Sequence, residues 1–187
     1  SSTTLDLGTG ALTINQIDDG TYSGTISGSG DLVKFGPGSL TLEGSNTYGG
    51  NSSVLGGTLV VANNSALHGT VTVNNGATLS VNQGVTVANP VFFGGSGGTL
   101  AGNGTFSSAI TIGANTIVAP GNPVGLLTFS GGLTFAPSSA FNIQVQSAAG
   151  ARGTGFDAID VTSGLTFTAT LGSPLVLHLS SLDPAGN

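Results

Sequence analysis

The chain lacks cysteine, methionine and tryptophan altogether, and of its 187 residues only two are Lys or Arg and eight are Asp or Glu. Without cysteine there is no disulfide frame, thiolate nucleophile or cysteine-ligated metal. Between Gly44 and Arg152 no residue carries a formal charge. That gap removes the residues that paired-carboxylate catalysis, lysine Schiff bases and arginine clamps require. Lys34 and Arg152 alone cannot form the basic face that displaces counterions from nucleic acid, so no nucleic-acid partner is expected. The same shortage argues against attachment to an anionic membrane surface. No apolar run approaches the roughly 20 residues of a membrane-spanning helix, so direct membrane insertion is not expected. The opening SSTTLDLG has neither the basic start nor the apolar stretch of a signal peptide. A chain that starts at Ser rather than Met is expected to be a segment of a longer, exported precursor.

Scarce charge does not here mean disorder, because 38% of the residues are apolar and mean hydropathy is +0.34. Glycine supplies 33 residues, well above the average of about 7%. Such density excludes a helical protein, since each Gly costs a helix about 1 kcal/mol relative to Ala. Short runs such as SLTLEG at 39–44, GTLVVA at 57–62, GTVTVN at 69–74, ATLSVN at 77–82 and GLTFA at 132–136 alternate apolar with hydroxyl or amide side chains. Each predicts a strand with one dry face. Leu40, Leu59, Leu79 and Leu100 begin equivalent strands 19, 20 and 21 residues apart. A strand-bearing period near 20 is the signature of a solenoid.

The predicted fold is therefore all-β, a parallel β-helix of roughly nine coils, about 45 Å long at the usual interstrand spacing, forming one domain over residues 1–187. NNG at 74–76, GGSGG at 94–98 and GNG at 102–104 are expected at its corners, where positive φ is needed. Stacking also accounts for the missing charge. Equivalent residues on successive coils lie about 5 Å apart, where like ions repel and Thr, Asn or Ser can hydrogen-bond. A β-sandwich is the competing fold; single-glycine corners and few hairpin turns favour the solenoid.

The stretch from Gly28 to Leu59 resembles the passenger-associated transport repeat of bacterial autotransporter passenger domains. The residues that carry the likeness are Gly28, Gly30, Leu32, Lys34, Gly36, Gly38, Leu40, Thr41, Leu42, Gly44, Asn46, Tyr48, Gly57, Thr58 and Leu59. GGTLAGNGTF at 97–106, APGNPVGLLTF at 119–129 and GTGFDAIDVTSGLTF at 153–167 look like segments that follow this repeat in large surface proteins. The resemblance implies a right-handed parallel β-helix, outside the cell or on the outer-membrane surface of a Gram-negative-type bacterium. It does not imply an activity, because the repeat serves as stalk and export scaffold for passengers of many kinds. No translocator barrel follows, so a segment of a larger protein is expected.

Few residues suggest chemistry, and no cofactor is implied. Asp157 and Asp160 are candidates for loose calcium coordination; the alternative puts Asp157, with Asp18 and Asp19, at turns and Asp160 in solvent. His68 and His178 are too far apart in sequence, and lack the cysteines, for a zinc site. No nucleophile elbow supports a Ser-His-Asp set. His178, between Leu177 and Leu179, is expected on an outer face. The glycine clusters lack the Lys-Ser or Lys-Thr of a phosphate-binding loop. Arg152 near Asp157 is a poor match for the acidic and basic groove of a pectate-lyase-like enzyme. Thr-x-Thr pairs are too few for an ice-binding face. Two functions remain. One is a structural module that continues end to end, into a second copy or into flanking coils of its parent. The other is an adhesin that binds glycans or surfaces through its polar face, with Phe92, Phe93 or Tyr48 as stacking platforms.

Overall fold

Alternation of apolar and polar residues can bury only one side of a strand, and closing the chain on itself every 20 residues brings those sides together. The computed structural model, which describes residues 3–121 and 123–182, has this arrangement. Among those residues there is no helix, and all strand pairs are parallel. A sandwich, built from antiparallel pairs, is thereby excluded.

The chain winds around three faces. The long face is an eight-stranded sheet whose strands are Gly20–Tyr22, Ser39–Leu42, Thr58–Val61, Thr78–Val81, Thr99–Gly102, Ile117–Pro120, Ala140–Val145 and Val176–Ser181. The second face holds Thr86–Val87, Thr105–Phe106, Leu126–Phe129 and Ala158–Val161, with Thr4–Asp6 paired to Thr25–Ser27 at the amino-terminal end. The third face runs from Leu12–Asn15 to Val91–Phe93 in five strands, then from Ile110–Ile112 to Leu165–Phe167 in three. Each neighbour in a sheet is one full coil away in sequence.

Eight strands on the long face make seven turns, fewer than the roughly nine coils expected. The cause is coil length. Register steps along the face are 20, 19, 20, 21, 18, 23 and finally 36 residues. Leucine spacing sampled only the short coils. Seven steps give a sheet about 34 Å long.

The interior consists of residues stacked in register. Leu40, Leu59, Leu79, Leu100, Val118 and Phe141 form one column, with all but Phe141 at most 5% exposed. Each such leucine contributes about 1.5–3 kcal/mol of burial. Phe106 stacks on Phe129 at 5.5 Å and Phe135 on Phe167 at 5.6 Å, each pair joined by strand register. Outside, Thr58, Thr78 and Thr99 align as a neutral hydroxyl row. The expected corners carry positive φ at Asn75, Gly76, Gly97 and Gly102. Side chains also stitch the corners: Asp31 Oδ1 accepts from Asn51 N–H at 2.7 Å, and Asn51 Oδ1 accepts from Thr70 N–H at 2.9 Å.

Candidate functional site

Alternation in Leu32–Phe35 places Lys34 on the same side as Leu32, which is the interior. Lys34 occupies a column between Ile14 and Val54 and is fully buried. Its ammonium donates to three carbonyls, Gly36 O at 3.0 Å, Gly38 O at 2.5 Å and Gly56 O at 2.7 Å. These oxygens come from glycine corners, where sheet pairing is thin: of the three, Gly38 O alone also receives an amide, Thr58 N–H at 3.5 Å. Gly57 completes the cage: at φ +57° it takes a left-handed turn, and a Cβ there would lie 2.6 Å from the Lys34 nitrogen. Burial pulls the Lys34 pKa below the ordinary lysine value, while Asp19 pushes it back up.

The second face has no strands where coils pass through 45–48 and 64–68. Buried side chains replace the missing pairing. Asn46 Oδ1 accepts from Ile26 N–H at 2.9 Å and Asn46 Nδ2 donates to Ala66 O at 2.7 Å, so one amide spans three coils. Tyr48 is fully buried, which removes it as a stacking platform for a ligand. Its hydroxyl lies 2.6 Å from Ser52 Oγ and accepts from His68 N–H at 3.2 Å. Ser52 Oγ donates to His68 O at 2.9 Å, and the His68 ring meets Asn46 O at 2.6 Å through Nε2. Burial raises the Tyr48 pKa, and the bonds with Ser52 and His68 oppose that rise. Ser52 and His68 were not singled out from sequence as partners of the repeat. The available signal was spacing, because His68 lies one coil, 22 residues, beyond Asn46.

Lys34, Asn46 and Tyr48 are thus internal fasteners, and they act on backbone rather than on a ligand. Tyr48→Phe should cost about 1–3 kcal/mol, the usual loss for a buried partner left unsatisfied. Thermal melts of the variant against the parent chain measure it. An unchanged midpoint would mean that water replaces the hydroxyl.

Asp157 and Asp160, the calcium candidates, do different work. Asp157 is 4% exposed. Its Oδ1 accepts from Gly125 N–H at 2.8 Å and its Oδ2 from Gln144 N–H at 2.8 Å. It pins the excursion that lengthens the last coil, a buried clasp where a turn residue was the alternative expected. Asp160 is partly exposed and lies 3.6 Å from Arg152, an exposed pair of small energetic weight. No group of three or more His, Cys, Asp or Glu suited to a metal occurs among the described residues.

Burial raises the Asp157 pKa above 3.8, against the pull of its two backbone hydrogen bonds. A carboxyl with a raised folded-state pKa contributes stability that is fully present below 3.8 and lost as pH climbs through the folded value. Relative to Asp157→Asn, the parent chain should therefore gain stability as pH falls from neutral to below 3.8. Denaturant melts of both chains across that range test the sign.

His178 lies on the outer side of the last long-face strand and is exposed, in register with Asn142. His178, Ser180 and Asp157 share one outer groove. The Asp157 carboxylate is committed to backbone N–H groups, and among the described residues no hydrogen bond links it to the imidazole. That is not the relay of a serine hydrolase. Phe92 is 58% exposed in a shallow cleft beside Thr111, whereas Phe93 packs against the core.

Two comparisons place this architecture among known proteins. Residues 32–61, which hold Lys34, Asn46, Tyr48 and Gly57, match the model of the passenger-associated-transport-repeat. The chain is 35% identical over 127 residues to the adhesin BmaC autotransporter of Brucella suis, covering 64% of this chain and 3% of that protein. It is 33% identical over 124 residues to an extracellular serine protease of Serratia marcescens, covering 66% of this chain and 10% of the relative. The chain thus spans a small fraction of each relative's length. On the repeat, its internal fasteners and the solenoid built around them, the chain carries an autotransporter passenger repeat.

Proposed function

We propose that the chain is a non-enzymatic structural segment of an autotransporter-like surface protein, which extends its parent and continues at both ends into further β-helix coils. The carrying observation is that no described residue covers either end of the interior. At one end Leu165, Phe167, Leu177 and Leu179 are 46%, 56%, 60% and 72% exposed. At the other, Leu5, Leu12, Ile14 and Tyr22 line an open apolar hollow. The strand at each end of the long face, Gly20–Tyr22 and Val176–Ser181, is paired on one side only. Such edges template another strand, and two unlike ends joined head to tail propagate without closing. The segment works outside the cell or on its outer surface, the setting of passenger proteins. The non-enzymatic reading draws on the repeat's role as scaffold and on the charge-free middle. The protease name belongs to a relative of which this chain spans 10%.

The isolated chain should form rods whose length grows with concentration, seen by negative-stain microscopy and sedimentation. Leu177→Lys with Leu179→Lys should hold it monomeric. Short, monodisperse particles at all concentrations would sink end-to-end assembly.

Adhesion is the second reading, favoured by the exposed Phe92 beside Thr111 and by the adhesin among the relatives. Glycan-array binding that is lost in Phe92→Ala would support it; an array without binding would reject it.

A further inference from the structure

The long face carries a feature that neither the fasteners nor the open ends use. Across the outer side of its last three strands lies a groove of about 390 Å³, within the range typical of small-ligand sites. Ile117 and Ala119 supply an apolar floor, and Asn142, Gln144, His178 and Ser180 supply polar walls. Strand register fixes the walls, because Asn142 is paired with His178 and Gln144 with Ser180. All four therefore project from adjacent strands of a sheet, which holds them more firmly than a loop would.

One atom in this groove has no partner. Asn142 Oδ1 is buried and accepts no hydrogen bond, the single buried side-chain polar atom left so among the described residues. A buried amide oxygen without a donor costs about 1–3 kcal/mol, and every other fastener in this solenoid is satisfied. Asn142 itself lines the groove, and a turn of its amide would bring that oxygen to a bound ligand.

We infer that the groove is a binding site for a neutral saccharide. This rests on the adhesion reading and gives it a place and a ligand class. The chemistry selects the class by elimination as well as by fit. No Lys or Arg lines the groove, so phosphate, sulfate and carboxylate ligands find no counter-charge. Asp157 at its margin has both oxygens engaged by Gly125 and Gln144, which leaves no oxygen set for a cation. Amides, an imidazole and a hydroxyl above an apolar floor match a sugar ring, with hydroxyls around its rim and a C–H face beneath. A sugar hydroxyl can donate to an amide oxygen or accept from an amide nitrogen, so it serves Asn142 in either orientation. Among the described residues Asp157 is also the only carboxylate lining the groove. Glycoside cleavage ordinarily needs two, so the site binds without hydrolysing.

The test is nuclear magnetic resonance of the 15N-labelled 187-residue chain titrated with maltose, cellobiose, lactose and di-N-acetylchitobiose. Saturable shifts at Asn142, Gln144 and His178 with at least one disaccharide are expected. Asn142→Ala should weaken that disaccharide at least tenfold, and so should His178→Ala, an exposed position that leaves folding intact if Asn142→Ala does not fold. Shifts centred on Phe92 instead would overturn this site while leaving the adhesion reading standing. No saturable shift with any of the four would overturn the site, as would shifts that survive both substitutions.

Discussion

Gly44→Ala is expected to be the most damaging single-methyl change in the chain, with a loss above about 3 kcal/mol. Gly44 and Gly24 are both buried on adjacent coils, and a Cβ on Gly44 would collide with the backbone carbonyl of Gly24. No rotamer can relieve a clash between Cβ and main chain. The coils must separate, and the bonds that bracket the contact, such as Glu43 N–H to Tyr22 O at 3.1 Å and Thr47 N–H to Ile26 O at 2.7 Å, separate with them. At about 2–4 °C per kcal/mol for a chain of this size, the melting midpoint should fall by about 10 °C. Because a solenoid couples mainly nearest neighbours, hydrogen exchange should accelerate in the coils before Leu42 while Leu79, Leu100 and Val118 stay protected. Gly76→Ala is the control. Gly76 has φ +71° but nothing within 4 Å of an added Cβ, so it should lose only about 1–2 kcal/mol, the left-handed penalty. Equal losses at the two sites would mean that close approach is not what Gly44 supplies.

Lys34→Met should cost about 2–4 kcal/mol, although it replaces a buried cation by an apolar side chain of similar reach. Two effects compete. Removing the ammonium abolishes a desolvation penalty, the effect that makes some buried ions dispensable. It also leaves the carbonyls of Gly36, Gly38 and Gly56 without their donor. Three charge-assisted bonds outweigh one ammonium's desolvation when the acceptors are fixed by the corners and cannot turn to one another. Urea melts compare the two chains directly. A more stable Lys34→Met would mean that water reaches the corner carbonyls and the cage is dispensable. Lys34→Arg should also destabilise, because a planar guanidinium does not fit a tripod of converging oxygens.

The period was legible because it is written in the core: Leu40, Leu59, Leu79 and Leu100 are register partners in the long face. Corner glycines and outward threonines followed from the same alternation. The coil number was not legible. Residues 146–157 leave the sheet and fold back, with Gln146 and Ser147 N–H both donating to Gly155 O, and neither leucine nor glycine spacing marks such a departure. The repeat residues were recognisable as a pattern, yet their task was hidden. A lysine in a strand reads as a surface residue unless the carbonyls it must satisfy are known, and one of these, Gly56 O, belongs to the next coil, as does the His68 N–H that meets the Tyr48 hydroxyl. Asp157 was obscure for the same reason, since its donors Gly125 and Gln144 are 32 and 13 residues away. The outward side of His178 was readable from its neighbours Leu177 and Leu179. That it faces Asn142 depends on the 36-residue step, which only the fold reveals.

That step also sets how the rod answers force. Its sheet hydrogen bonds run along the axis, so tension between the ends loads them lengthwise and peels coils off singly. An early coil of about 20 residues pays out about 65 Å of chain when released, whereas the 36-residue final coil pays out about 120 Å. The excursion held by Asp157 is thus a reserve of length beside one end of the solenoid. Under a pull it would release nearly twice the length of an early coil.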